Sequence, residues 1–373
     1  FIQSDICEAL DIDPREIHTA DEFYDLLVAI RDGGFEDEHG QPVTPLGPKF
    51  WGGSVDAMDY FLRPFNWGVS KGFNITEDGE ILHEVETDYA MEKVNYVRKL
   101  LDEGLIHPEF FTMDSTRAEE VSRAKSVGII GDVHNYVEII YGSDDWLPLG
   151  PLNDYTGEFS NIAGGKGGYG CLAINADAEN PEEIMKFFDY LSTYEGKLLG
   201  DYGVEGVSYE FDEDGNPRLV EEALEAVNND DQAYMINKIG AGFGGGGNYV
   251  FSFARTDEAS KYEFGENRPG SSAGEMFEGA IRVAEFAPQT YRYVPGLQAT
   301  AYLNDPEMEE IKPQMALLDY PEQLVAAFFA PSEEDAEAIL DSFEEQFIAS
   351  GGEEFKAHLQ EIYEEDPEAI NFY

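Results

Sequence analysis

Residues 18–34 read HTADEFYDLLVAIRDGG, the pattern of an amphipathic helix with both ends marked. Thr19 and Glu22 have capping-box spacing, in which each side chain satisfies a backbone N–H that the first helical turn leaves open. Phe23, Leu26, Leu27 and Ile30 then recur at the helical period on one face, and Gly33-Gly34 end the run. The design returns in TDYAMEKVNYVRKLLDEG, with Thr87 as the expected cap, Val94, Val97, Leu100 and Leu101 as the stripe, and Gly104 as the stop. A third helix opens at NPEEIMKFFDYL, where Asn180 caps, Pro181 occupies the first turn, and Ile184, Phe187, Phe188 and Leu191 are expected to pack. Two more helices are predicted at Ser332 to Phe347 and Phe355 to Tyr363, the first with Ala336, Ile339, Leu340 and Phe343 on one side. The short apolar runs Val127 to Ile130 and Cys171 to Ile174 read as strands. Helices alternating with strands indicate an α/β protein.

A chain of 373 residues, 42% of them hydrophobic, is long enough for two cores, because single cores stop growing near roughly 250 to 300 residues. Lys and Arg number 23 against 77 Asp and Glu. The formal charge of -54 repels nucleic acid and anionic lipid across most of the surface, and most of these acids read as a solvated exterior. No run of about 18 apolar residues predicts a membrane-spanning helix, and residues 1–30 lack a signal-peptide pattern. The chain opens on Phe1 inside an ordinary amphipathic segment, so a leader and further preceding residues are expected. Cys7 and Cys171 are too few for a disulfide framework and carry no metal spacing, so both read as buried thiols.

Several motifs fail on their own arithmetic. Gly240, Gly242 and Gly245 spell G-x-G-x-x-G, but a helix-like run precedes them and a strand-like run follows, the reverse of a dinucleotide site. AGGKGGYG, residues 163–170, lacks the phosphate-loop spacing, although its glycines would let a ligand approach the backbone. FDEDGNP resembles a calcium loop, yet counting from Asp212 puts Pro217 at position six and Ala223 at position twelve, where Gly and Glu are needed. Asp-Gly in that stretch and in NITEDGEILHE instead predicts two hairpins. There is no H-E-x-x-H and no G-x-S-x-G. No cofactor and no metal are expected.

Aromatic residues stand near glycines and turns: Trp51, Trp67, Tyr136 and Tyr169. Any one of them alone reads as core packing. Together they suit the apolar faces of sugar rings, with neighbouring Asp, Asn and His as partners for hydroxyls. Two carboxylates suffice for glycoside hydrolysis, so a secreted carbohydrate-active hydrolase stands as the alternative reading, though no pair among 77 acids is singled out. A bare adhesion or scaffold module is a third.

The order of segments resembles the extracellular solute-binding proteins of ABC importers, in the sugar-type branch that includes maltose-binding protein. The resemblance runs through DEFYDLLVAIRD, YVRKLLDEGLIHPEFFTMD, AKSVGIIGDVHNY, WLPLGPL, NPEEIMKFFDYLSTYEG and DYGVEGVSYEFDEDG, over roughly the first 220 residues. It implies a periplasmic-binding-protein-like α/β fold of type II, with two lobes and a solute held between them. It also implies that the first lobe is incomplete here: residues 1–155 would be second lobe, 156–222 first-lobe material after a crossover, and 223–373 a return to the second lobe. Site residues follow by matching segments. Asp132, His134 and Tyr136 stand in the turn after a strand, Trp51 before a helix, Tyr169 at the crossover, and Glu205 with Gly206 beside the cleft. His134 stands where the family often has tryptophan, which weakens the case for a maltodextrin-like stacking site. The expected ligand set is Trp51, Trp67, Asp132, His134, Tyr136, Tyr169, Glu205 and Asn248. The implied protein is no enzyme but a monomeric receptor for a small neutral solute, a sugar or oligosaccharide, which it passes to the transmembrane subunits of a permease. It would sit on the extracellular face of the membrane, anchored by lipid on a cysteine ahead of this chain, or in the periplasm.

Overall fold

The computed structural model describes residues 1–49, 59–65, 72–131 except 77, 145–162, and 173–228 except 192, 214 and 216. It also describes 232–234, 237, 292–294, 296–297, 302–365 and 371–372. The chain divides into two compact units, Phe1–Lys166 with Arg282–Tyr373, and Gly167–Ile281. The units thus break at 166 and 281, where the sequence reading put its segment boundaries at 155 and 222.

The first unit is built on a four-stranded sheet of β1 (Ile2–Gln3), β2 (Thr44–Lys49), β5 (Val127–Gly131) and β6 (Trp146–Leu147), in the order β2-β5-β1-β6. β2 and β5 run parallel, with Thr44 opposite Val127 and Lys49 opposite Gly131, while β1 is antiparallel to both β5 and β6. All five residues of β5 are buried, as a strand covered on both faces requires. The hairpin of β3 (Phe73–Ile75) and β4 (Ile81–His83) forms as predicted, and Gly79 supplies the positive φ of its turn.

Helices cover this sheet. α1 (Ser4–Leu10) follows β1, and α2 (Ala20–Asp32) carries the predicted capping box, with Phe23, Leu26, Leu27 and Ile30 buried. Next come α3 (Asp59–Leu62), α4 (Tyr89–Asp102) and α5 (Ser115–Arg123). Thr87 does not cap α4. Its Oγ donates to Glu84 O at 2.7 Å, closing the 3-10 turn Glu84–Glu86, and α4 starts after Asp88. Val94, Val97 and Leu100 are buried, but Leu101 only partly.

In the second unit, α6 (Pro181–Leu191) begins after Asn180 as expected, α7 (Tyr194–Tyr202) follows, and β8 (Tyr209–Phe211) pairs antiparallel with β9 (Pro217–Leu219) around Gly215 at φ +81°. That pairing is the hairpin predicted in place of a calcium loop. α8 (Glu221–Asn228) and α9 (Gln232–Tyr234) come next. The expected stripe of α6 is not buried: Ile184 and Phe188 are half-buried and Phe187 is exposed. Ala173 and Ile174 are irregular rather than strand, and Cys171 lies outside the described residues.

β7 (Ser160–Ile162) pairs in parallel with β10 (Arg292–Val294), close to where the chain leaves and re-enters the first unit. β11 (Gly296–Leu297) pairs with β12 (Asn371–Phe372). The C-terminal helices are α10 (Lys312–Met315), α11 (Tyr320–Phe328), α12 (Glu333–Ala349) and α13 (Gly352–Glu365). Ala336, Leu340, Phe343 and Phe347 of α12, with Phe355 and Leu359 of α13, join the same buried cluster as α2 and α4. Burying each large apolar side chain in it contributes about 1.5–3 kcal/mol. Cys7 sits in this core, where burial pushes its thiol up to about 11 and suppresses the reactive thiolate.

Candidate functional site

Two places in the described residues bear on a binding site, one in each unit. In the first unit, β2 and β5 end side by side at Lys49 and Gly131. Open α/β sheets bind ligands at the carboxyl ends of their strands, where loops diverge from a rigid edge. Residues 50–58 and 132–144, which hold Trp51, Asp132, His134 and Tyr136, continue from this edge but lie outside the described residues.

What the structure does show at that edge is Tyr60. Its hydroxyl donates to Gly47 O at 2.8 Å, and its ring lies where a Cβ on Gly131 would stand 2.0 Å from Cδ1. Glycine at 131 is therefore what lets a ring lie against the strand end. Burial raises the Tyr60 phenol well above its ordinary value. Phe61 beside it is fully buried and meets Phe23 and Phe110, which anchors α3. Sequence reading missed Tyr60 because it looked for rings next to glycines in sequence. The signal was a ring whose glycine partners, Gly47 and Gly131, are distant in the chain.

In the second unit, Glu205 lies on a turn after α7, between Gly203 at φ +87° and Gly206 at φ +77°. Its side chain is exposed, while its backbone is fixed by a bridge to Tyr209 and by Gly206 N donating to Tyr209 O at 2.8 Å. Ser208, fully buried, locks the turn from inside: its Oγ donates to Tyr202 O at 2.6 Å and accepts from Val204 N at 2.9 Å. An exposed carboxylate on this turn offers two acceptor oxygens, the groups that hydroxyl recognition uses. Burial, and next the Glu205 charge, raises the Tyr209 phenol. Trp67, Tyr169 and Asn248 lie outside the described residues, so of the eight expected ligand residues Glu205 alone can be placed. Among the described residues no group of three or more His, Cys, Asp and Glu is arranged to hold a metal ion, and no helix is long and apolar enough to cross a membrane.

Comparison with solved structures defines the class of fold. The chain matches the ABC-transporter substrate-binding protein FusA of Streptococcus pneumoniae, an EF-hand mutant in complex with fructo-nystose, with a TM-score of 0.64 at 14% identity. The match covers 98% of this chain and 71% of that one. The expected periplasmic-binding-protein-like α/β fold is thus borne out. Among curated proteins, the chain is 26% identical over 231 residues to lipoprotein LipO of Bacillus subtilis (strain 168), covering 56% of this chain and 43% of that protein. It is 24% identical over 210 residues to the polygalacturonan/rhamnogalacturonan-binding protein YtcQ of the same organism, covering 52% and 40%. The chain thus spans less than half the length of both curated relatives. No protein-family model matches it.

Proposed function

We propose that the chain belongs to a solute-binding receptor of an ABC importer that captures a sugar or oligosaccharide and delivers it to the permease. The observation that carries this reading is the fold match over 98% of the chain to a substrate-binding protein solved with an oligosaccharide. A curated relative that binds polygalacturonan and rhamnogalacturonan supports the carbohydrate class, and a lipoprotein relative supports attachment at the outer face of the cell membrane.

In this reading the first unit is the second lobe, and the second unit contributes the first-lobe segment. The paired strands β7 and β10 flank the crossings. Ligand binding stabilises a closed arrangement through differential affinity for the two states. Rings supply stacking, and Asp132, His134, Glu205 and Asn248 bond hydroxyls. The protein acts as a monomer and performs no catalysis.

Isothermal calorimetry of the protein against fructo-, galacturono- and rhamnogalacturono-oligosaccharides tests this. Binding of at least one glycan, without hydrolysis of it, is the expected result. Binding of a peptide or amino acid with no glycan bound overturns it, and turnover of a chromogenic glycoside moves the assignment to a hydrolase. Glu205→Ala is expected to weaken the bound glycan about tenfold, the loss of one hydrogen bond of about 1.4 kcal/mol.

A further inference from the structure

The strand edge of the first unit carries a charge that the described fold leaves unanswered. Lys49 ends β2 opposite Gly131 and is half-buried, yet among the described residues its ammonium makes no ion pair and no hydrogen bond. Acids outnumber bases 77 to 23 in this chain, so a counter-charge is the easiest partner for any cation to find. Apart from Lys312, which is exposed, every other described Lys and Arg side chain meets a carboxylate, a backbone carbonyl or an aromatic ring. An ammonium partly withdrawn from water without a counter-charge is costly, and folds keep such costs chiefly at functional sites. A second cation stands close by. Arg63 opens the 3-10 turn Arg63–Phe65 three residues after Tyr60, and its guanidinium carbon lies 5.9 Å from the ring centroid of Phe159. Tyr60 links the two cations, since its ring lies against Gly131, the register partner of Lys49.

We infer that the solute held at this edge is an acidic oligosaccharide whose uronate carboxylate pairs with Lys49, in place of the neutral solute that the family resemblance implies. The inference rests on the solute-binding reading and deepens it by naming the substrate class. The position is the one where open α/β sheets present ligands, at the carboxyl ends of β2 and β5. Lysine suits a carboxylate carried on a sugar ring, because an ammonium is a compact charge with three donors on a flexible stem and can follow the oxygen it meets. A neutral hydroxyl in the same place accepts a hydrogen bond but leaves the charge uncompensated, and that difference selects a uronate over its neutral counterpart. The net charge of -54 opposes any anion. At about 0.15 M ionic strength, however, it is screened beyond about 8 Å, whereas an ammonium in contact with its carboxylate is not.

Calorimetry of the protein with matched trisaccharides tests this: trigalacturonate against galactotriose, and trimannuronate against mannotriose. In at least one pair the uronate is expected to bind about tenfold or more tightly than its neutral partner, the worth of one hydrogen bond between charged groups. Lys49→Gln is expected to remove about tenfold or more from the uronate and less than about twofold from the neutral sugar, while Lys49→Arg retains the preference. Lys312→Gln deletes the same charge from an exposed position on α10 and leaves both affinities unchanged. An unchanged thermal midpoint in each variant reports an intact fold. Equal or tighter binding of the neutral sugar in both pairs overturns the inference and leaves the receptor reading standing. An equal loss for both members of a pair in Lys49→Gln overturns it too, since the lysine would then only shape the edge. Binding of no glycan at all overturns the receptor reading, and the inference with it.

Discussion

At the scale of single residues, the most consequential group lies beneath the β3–β4 hairpin. Glu84 is fully buried, and its Oε1 accepts from Lys93 Nζ at 2.6 Å and from the Tyr320 hydroxyl at 2.8 Å. Removing one partner leaves a charge uncompensated in a low-dielectric interior. Lys93→Met is therefore expected to cost about 3–5 kcal/mol, read from the urea midpoint, and far more than loss of an exposed pair such as Arg117 with Glu120. Tyr320→Phe removes one donor to the same carboxylate and is expected to cost about 1–3 kcal/mol. Its pH signature is separate. Burial, and then Glu84, holds the Tyr320 phenol well above its ordinary value. The folded chain therefore keeps a proton that an unfolded tyrosine releases near about 10, and stability falls as pH rises beyond that point. Tyr320→Phe is expected to make this alkaline fall shallower, while a loss as steep as in the unsubstituted protein would place its origin in other tyrosines.

At the scale of elements, local signals succeeded where the cap that the sequence marks also forms in the fold. The α2 helix forms as predicted because Thr19 Oγ accepts from Glu22 N at 3.2 Å and Glu22 accepts from Thr19 N at 3.0 Å. Thr19→Ala should lower stability by about 1 kcal/mol by thermal unfolding, a typical cap loss. Thr87 failed as a cap for a tertiary reason: the 3-10 turn at Glu84–Glu86, tied to the buried Glu84, had first claim on its hydroxyl. Phe187 failed as a core residue because periodicity reports which face of a helix is apolar and says nothing of whether a partner covers it. The strand end at Gly131 shows the limit for the site. Gly131→Ala is expected to displace the Tyr60 ring and weaken glycan binding measured by calorimetry, with a second loss in thermal stability. No reading along the chain would pair residue 131 with residue 60, since their contact is a tertiary one between α3 and the end of β5. The turn that carries Glu205 was legible because Gly203 and Gly206 announce it, and both glycines have positive φ.

At the scale of the whole molecule, charge sets the conditions under which this fold is stable. Two like charges about 20 Å apart repel by about 0.2 kcal/mol in water. This is small for one pair but accumulates over 77 acids opposed by only 23 bases. Salt acts on this sum in two opposed directions. It weakens exposed ion pairs such as Arg117 with Glu109 and Arg123 with Glu119, each worth about 0–1 kcal/mol. It also shortens the screening length from about 30 Å at 0.01 M to about 3 Å at 1 M, which removes nearly all the long-range repulsion. The repulsion is the larger effect, because the acids outnumber the cations available to pair with them by more than three to one. Buried pairs such as Glu84 with Lys93 are screened little and contribute no opposing trend. Raising NaCl from about 0.01 M to about 1 M is therefore expected to raise Tm by roughly 2–5 °C, corresponding to a few kcal/mol. KCl should act equally, since screening depends on ionic strength rather than on the identity of the cation. A Tm that stays flat or falls would mean that exposed ion pairs outweigh the net charge, and a rise seen with one cation alone would point to specific ion binding rather than screening.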